Sequence, residues 1–205
     1  MKTNWIKETV EWIVCFIIAY AIYLAVNYFI GTVAGIKQSS MYPTCKEGER
    51  VVIGRRVLYN KTLERGDIVI VESPSITENN TNVLATYDEK TGFAKFAYSV
   101  MGIGKMSFIK RVIGLPGEHL YISEEGYIYI NDVKLDEPYL PEGTTTPRLG
   151  EVYDLVIPEG YVFCIGDNRE GSMDCRMFGA VPMDKVEGKV VCRIWPLNKL
   201  GKIDK

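Results

Sequence analysis

The chain has 205 residues, of which 47% are apolar, 11% aromatic and 24% charged, and its formal net charge at pH 7 is −2. This is the composition of an ordinary folded protein, and the near-zero charge argues against a nucleic-acid binder with a strongly basic surface. The single histidine, His119, excludes a zinc site built from several histidines and leaves one candidate for any Ser-His-Asp triad. The five cysteines show no CxxC spacing, so neither a metal nor a redox cofactor is expected.

The first predicted element is a membrane-spanning helix over residues 12–36, after a short tail over 1–11. The 25 residues from Trp12 to Ile36 include no Asp, Glu, Lys or Arg. At about 1.5 Å per residue, such a helix crosses a hydrocarbon core of about 30 Å with some tilt. A cleavable signal peptide is the alternative, because Lys2 and Lys7 resemble its charged start. The apolar run exceeds the usual h-region of about 7–15 residues, however, which favours an uncleaved span.

The orientation of this span does not follow from charge alone. More basic residues follow the apolar run than precede it, and by the positive-inside rule this places the following domain in the cytoplasm. Long domains nevertheless translocate largely regardless of charge.

Residues 37–205 are predicted to form one mainly β domain. Five short segments are rich in β-branched and aromatic residues and bounded by Gly, Pro or Asn, which is typical of strands: 49–57, 67–72, 107–115, 161–166 and 189–195. A hairpin is predicted over 119–131, with its turn at 124–126 and His119 on its surface. No segment after the span shows ten residues of clean helical period. Residues 73–106 and 132–159 are interpreted as insertions, the second a loop-rich flap with four prolines.

Four short motifs carry the candidate chemistry: QSSMYPT at 38–44, RGDIVIV at 65–71, KRVIGLPGE at 110–118 and GDNREGSMDCR at 166–176. Serine is a poor nucleophile until a base takes its proton, and with so little histidine the natural base is lysine. Lys110 lies between two apolar pairs, Phe108-Ile109 and Val112-Ile113. Burial among such groups lowers the pKa of a lysine and yields a neutral amine. Taken singly, each motif also fits an ordinary turn or a solvated strand face.

Together, and in this order behind a membrane span, the motifs resemble those of the type I signal peptidases, which are membrane-bound serine proteases with a Ser/Lys dyad. The resemblance extends from the span to about Trp195, and the short segment between the third and fourth motifs is similar to that of the Gram-positive enzymes. It implies cleavage of preprotein signal peptides through an acyl-enzyme, after small residues at P1 and P3, without metal or cofactor. It also implies the bilayer and the secretion translocon as partners, and a plasma-membrane location with the N-terminus cytoplasmic and the domain outside.

By position, the resemblance implies that Ser40 is the nucleophile, Lys110 the general base and Ser172 the hydroxyl that orients the lysine. The backbone N–H of Ser40 is the expected oxyanion donor, and Gln38, where the family has Gly or Ser, is the candidate for the second donor. The residues expected to line shallow pockets for small substrate side chains are Ile36, Met41, Phe108 and Ile109. Structural roles near the site fall on Asp67, Arg111, Asp167, Arg169, Asp174 and Arg176.

Two departures from the family pattern are cysteines. Cys45 and Cys175 stand where Leu and Ser are usual, and both are expected close enough to the site for a thiol reagent to inhibit by crowding.

Two other functions remain open. A self-cleaving repressor-type Ser/Lys protease needs a cytosolic domain, and the membrane span argues against it. A non-catalytic, membrane-anchored β-domain that binds exported chains is disfavoured by the presence of both Ser40 and Lys110, although Gln38 is a hint towards it. Ser40 lies four residues after Ile36, so the site is expected at the membrane surface, which favours a domain outside the cell.

Overall fold

A computed structural model describes residues 5–29, 31–55, 63–75, 83–99, 104 and 106–203. Helix α1 (Trp5–Phe29) has exposed side chains along almost its whole length and meets the β domain at its C-terminal end. Over Trp5–Asn27 it is long and apolar enough to cross a membrane, and it is the one such helix in the described ranges. A helix therefore exists where the span was predicted, but its bounds differ from 12–36.

The helix begins and ends earlier than the uncharged run. Its first turns include Lys7, Glu8 and Glu11, whereas Gly31–Gly35 leaves the helix and forms strand β1. This strand pairs antiparallel with β2 (Arg50–Arg55). Glycine weakens a helix, and β2 supplies hydrogen-bond partners for the backbone of β1, so the last turns of the predicted span become a strand. The absence of charge alone does not detect this change, because β1 is as uncharged as the last turns of the helix before it.

Among the described residues, nine further strands follow in chain order: β3 (Ile68–Glu72), β4 (Ser107–Gly114), β5 (His119–Ile122), β6 (Ile128–Ile130), β7 (Val133–Lys134), β8 (Asp154–Val156), β9 (Tyr161–Ile165), β10 (Val181–Pro182) and β11 (Val186–Trp195). They form two antiparallel sheets, with the orders β1-β2-β11-β3-β4-β9-β10 and β7-β6-β5-β8. The mainly β class is confirmed, and each predicted strand and the predicted hairpin coincide with observed strands.

Both insertions contain regular structure of their own. Helix α2 (Gly92–Ser99) lies within 73–106, and β7 and β8 lie within 132–159, which otherwise consists of turns and loops. With eight residues, α2 is too short for the ten-residue helical period on which the prediction relied. A third helix, α3 (Cys175–Phe178), begins after Asp174, whose carboxylate accepts a hydrogen bond from the Arg176 amide.

Two apolar clusters stabilise the domain, and β4 contributes to both. The larger cluster joins the two sheets and includes the fully buried Phe163, Ile113 and Leu120. The smaller cluster contains Ile36, Met41, Cys45, Val51, Ile53, Ile68, Ile109 and Val190. The loop that carries the candidate nucleophile is thus packed directly against the strand that carries the candidate base.

Replacing a ring at the centre of the larger cluster tests this description of the core. Phe163→Ala leaves a cavity between the sheets and is expected to lower the free energy of unfolding by about 3–5 kcal/mol, measured by urea unfolding of the solubilised protein. The matched control is Val133→Ala on β7, where the side chain is 70% exposed; its effect is expected within about 0.5 kcal/mol. Equal effects of the two substitutions would contradict the core assignment.

Candidate active site

Ser40 lies in the loop between β1 and β2. The loop is closed by two backbone hydrogen bonds: the Ile36 amide donates to the Glu49 carbonyl at 2.8 Å and the Gly48 amide donates to the Ile36 carbonyl at 2.9 Å. Within it, Met41, the residue after Ser40, is fully buried and packs into the smaller cluster. This packing holds the backbone next to Ser40 in place. The Ser40 hydroxyl is buried and directed at β4, where it lies 3.4 Å from the Ile109 carbonyl oxygen.

Lys110 meets Ser40 from the middle of the main sheet. Its Nζ donates to the Ser40 Oγ at 2.9 Å, and the whole residue is 1% exposed. Burial lowers the Lys110 pKa to about 8, against a smaller opposing effect of the Asp174 charge. A lysine with this pKa is partly neutral near physiological pH and can therefore accept a proton from a hydroxyl within hydrogen-bond reach.

The loop over residues 166–172 holds the backbone of the serine in place. The Asn168 amide donates to the Ser40 carbonyl at 3.0 Å, and the Asn168 side chain donates to the Ser39 carbonyl at 3.2 Å. Gly166 passes so close that a Cβ on it would lie 2.4 Å from the Ser40 carbonyl oxygen. Glycine is needed here because of this close approach.

Ser172 lies beside these residues but does not hydrogen bond to the lysine in this structure. It is 2% exposed, and its Oγ would lie 2.2 Å from a Cβ on Gly166. Among the described residues, this Oγ has no hydrogen-bond partner. The predicted bond that orients Lys110 therefore stays a prediction.

The charged residues predicted to be structural form buried ion pairs beside the site. Arg111 makes a two-pronged bond to Asp167, with Nε and Nη2 at 2.9 and 2.7 Å from the two carboxylate oxygens. Arg176 bonds Asp174 in the same way at 2.8 Å and 2.8 Å, and all four side chains are fully buried. The Asp174 carboxylate also accepts a hydrogen bond from the Gly166 amide at 3.0 Å. This bond connects the ion pair to the loop that contacts Ser40.

The remaining two predicted structural residues have partners that were not foreseen. Asp67 pairs with Lys189 on β11 at 2.7 Å, and Arg169 pairs with Glu137 at 2.6 Å. Glu137 belongs to the flap over 132–159, so this flap contributes a partly buried counter-ion to the buried Arg169.

Comparison with known proteins gives the family. A family model described as signal peptidase, peptidase S26, matches residues 9–195. The chain belongs to this signal peptidase family. It is 34% identical over 209 residues to signal peptidase IB of Staphylococcus aureus, covering 94% of this chain and 93% of that protein. It is 30% identical over 210 residues to signal peptidase I of Bacillus licheniformis, with 99% and 97% covered.

Among solved structures, a signal peptidase I from Enterococcus faecalis V583 matches with a TM-score of 0.40 and 26% identity, over 62% of this chain and 96% of that one. The family and the near full-length relatives carry the coarse activity, which is removal of signal peptides from preproteins. The resemblance read from the four motifs is thus confirmed at the level of the family.

In this signal peptidase, the residues expected to form substrate pockets do not all share one cluster. Ile36, Met41 and Ile109 belong to the smaller cluster, whereas the Phe108 ring packs on the larger one and stacks near Phe178, with ring centroids 6.4 Å apart. The Phe108 ring also lies 5.2 Å from the Lys110 Nζ. Gln38 is exposed and lies two residues before Ser40. The pocket and oxyanion assignments stay predictions.

Sequence reasoning missed a second support of the serine loop. Arg193 on β11 donates to the Thr44 carbonyl at 2.6 Å and pairs with the buried Glu49 at 3.0 Å. Thr44 in turn donates its hydroxyl to Asp167. Lys199 adds a second cation to Glu49 at 3.3 Å. No sequence signal connects Arg193 with Thr44, because 149 residues separate them.

The expectation for the two cysteines is wrong on accessibility. Cys45 and Cys175 are fully buried, and burial raises the pKa of Cys45 to about 11 and that of Cys175 well above its usual value. A protonated thiol without access to solvent does not react, so a thiol reagent cannot crowd the site through these residues while the protein is folded.

Adding one methyl group at Gly166 is a sharp test of the site geometry. Gly166→Ala places a Cβ against the Ser40 backbone and is expected to lower kcat on a preprotein about a hundredfold, because a displacement near 1 Å misaligns the reacting atoms. The matched control is Gly35→Ala, where a Cβ would have nothing within 4 Å. Unchanged kcat for Gly166→Ala in folded protein would contradict the described approach of loop and serine.

The Arg111–Asp167 pair gives a stability prediction. Arg111→Met leaves the Asp167 carboxylate buried without its guanidinium and is expected to cost about 3–5 kcal/mol in the free energy of unfolding. Adding Asp167→Asn in that background is expected to recover part of the loss, since a neutral amide is cheaper to bury than a carboxylate. Urea unfolding of both variants measures this, and a double variant less stable than Arg111→Met argues against a charge effect.

Proposed function

We propose that this signal peptidase cleaves by a Ser40/Lys110 dyad, without metal or cofactor. The observation that carries the proposal is the 2.9 Å contact between the Lys110 Nζ and the Ser40 Oγ, with both side chains buried and the Lys110 pKa lowered to about 8. A buried lysine of lowered pKa in hydrogen-bond contact with a serine hydroxyl is the arrangement that general-base activation of serine requires.

The chemical steps follow from these two groups. Neutral Lys110 takes the hydroxyl proton as the Ser40 Oγ attacks the P1 carbonyl carbon of the substrate. The oxyanion is stabilised by the Ser40 backbone N–H, with the Gln38 amide as the candidate second donor. The lysine ammonium then protonates the leaving amine as the peptide bond breaks. A water that gives its proton to the same lysine hydrolyses the acyl-enzyme and frees Ser40.

Substrate binding is proposed to use one edge of β4, because the stretch 108–110 pairs with β3 along its other edge. Strand β9 pairs with β4 at Arg111, Val112 and Gly114, so the preceding stretch 108–110 is not paired with β9. An extended substrate segment placed there adds a strand beside Lys110. The apolar side chains of Ile36, Met41, Phe108 and Ile109 then surround the P1 and P3 positions and favour small residues such as alanine at both.

The proposed location of the protein follows from helix α1, which is long and apolar enough to cross a membrane. We place α1 across the plasma membrane with its N-terminus in the cytoplasm and the β domain outside, where signal peptides emerge. Strand β1 begins two residues after the last residue of α1, and Ser40 lies soon after it. The active site is therefore close to the bilayer surface, and the bilayer, the emerging signal peptide and the secretion translocon are the partners that fit this position.

The first experiment is cleavage of a preprotein with an Ala-x-Ala site by the full-length protein in phospholipid. Cleavage after the second alanine is expected in the wild type and absent in Ser40→Ala. Ser39→Ala is the matched control, because Ser39 is the adjacent serine and is exposed. If folded wild type leaves several preproteins intact, the enzyme proposal fails and the membrane-anchored binding domain takes its place.

The second experiment is the pH dependence of kcat/KM. The general base must be neutral, so the rate is expected to rise with pH to a midpoint near 8, where the Lys110 pKa lies, and to level off above it. Each unit below the midpoint lowers the rate about tenfold.

Two variants identify the titrating group. Lys110→Met is expected to remove activity, whereas Lys134→Met, on the edge strand β7, leaves the profile unchanged. A midpoint near 6.5 that disappears in His119→Asn would instead assign the base to the histidine. His119 lies on the surface, bonded to Asp154 at 2.8 Å.

A further inference from the structure

Helix α2 presents an aromatic face that the rest of the described chain does not cover. Phe93 and Phe96 lie one turn apart on the same side, with ring centroids 6.1 Å apart and 78% and 50% of their areas exposed. The other side of the helix, with Lys95 and Tyr98, lines a polar cavity of about 590 Å³ shared with Glu72 on β3. The helix is therefore amphipathic, and its apolar side is the one turned away from the domain.

The position of α2 is fixed through its last turn. Tyr98 is partly buried, and burial together with a hydrogen bond to the Glu72 carboxylate raises its pKa. Glu72 is also paired with Lys185 at 3.4 Å. These contacts connect the end of α2 to the edge of the main sheet where β3 and β4 pair through Glu72 and Ser107.

The same edge of the sheet is bonded to the end of the membrane helix. The Ser107 hydroxyl donates to Glu187 at 2.5 Å, and Glu187 pairs with Arg55 at 3.5 Å. Arg55 in turn donates its Nε to the Asn27 carbonyl at 3.0 Å, and Asn27 is the last residue of the apolar stretch of α1. Three consecutive contacts therefore lead from the end of the apolar stretch of α1 to the start of β4.

We propose that α2 is a second membrane contact, a short interfacial helix whose Phe93 and Phe96 enter the boundary between headgroups and acyl chains beside α1. The occupant is the bilayer that holds α1. The contacts of Glu72 and Ser107 connect the last turn of α2 to the same ends of β3 and β4 that are linked to the end of α1. Amphipathic helices with aromatic residues on one side bind at this depth. The proposal uses only the membrane anchor of the proposed function and is independent of its chemistry.

The test uses the full-length protein in vesicles of phosphatidylcholine and phosphatidylglycerol with brominated acyl chains, which quench tryptophan at the depth of the acyl chains. Phe93→Trp and Phe96→Trp each add one emitter to the three native tryptophans. The added emission is expected to fall roughly twofold or more relative to vesicles without bromine, because the rings sit at the acyl boundary. Two separate variants guard against one that does not fold.

The controls probe the same chain at other exposed positions. Lys95→Trp lies on the opposite side of α2, and Val133→Trp lies on β7 with a similar exposure to Phe93. Quenching at positions 93 and 96 that clearly exceeds quenching at 95 and 133 supports the proposal. Equal quenching at all four positions overturns the proposal. A protein partner would then be the alternative that covers the aromatic face. Preprotein cleavage, measured on the same samples, reports separately on the proposed activity.

Discussion

The proposed activity depends on the burial of Lys110, which forms no salt bridge among the described residues. An ammonium group ordinarily keeps its proton at neutral pH, whereas burial of Lys110 on β4 lowers its pKa to about 8. The carboxylate of Asp174 acts against this by favouring the charged form. Arg176, bonded to that carboxylate at two points, offsets its field at the lysine. Arg176 therefore offsets only part of the Asp174 effect, and burial is what lowers the Lys110 pKa for the proposed chemistry.

Much of the fold and the centre of the site could be predicted from local sequence. Strands such as β4 and β9 are dense in β-branched residues between clear turn signals, and the alternation along β4 already allowed a buried Lys110. The family motifs paired Ser40 with Lys110 across 70 residues, which no local pattern does. Local patterns indicate secondary structure only. The family motifs supplied the long-range contact between Ser40 and Lys110 on which the proposed function depends.

The features that sequence reasoning missed depend on contacts between distant segments. Strand β1 continues the uncharged run of the helix before it and is recognisable only once β2 is beside it. Helix α2 is too short for a periodicity test. Glu137 and Arg193 look like ordinary surface charges until the flap and β11 bring them against Arg169 and Thr44. Burial of Cys45 and Cys175 likewise follows from packing, which their sequence neighbours do not reveal.

The Arg55 bond to the carbonyl of Asn27 joins the end of the helix to the β domain. One residue separates α1 from β1, and a residue spans at most about 3.6 Å, so the joint between anchor and domain has little slack. In the proposed placement of α1 across the membrane, the Arg55 bond to Asn27 limits how far the domain can move from the bilayer surface. Under the proposed function, the anchor then sets the height at which the end of a signal peptide's apolar segment meets the active site.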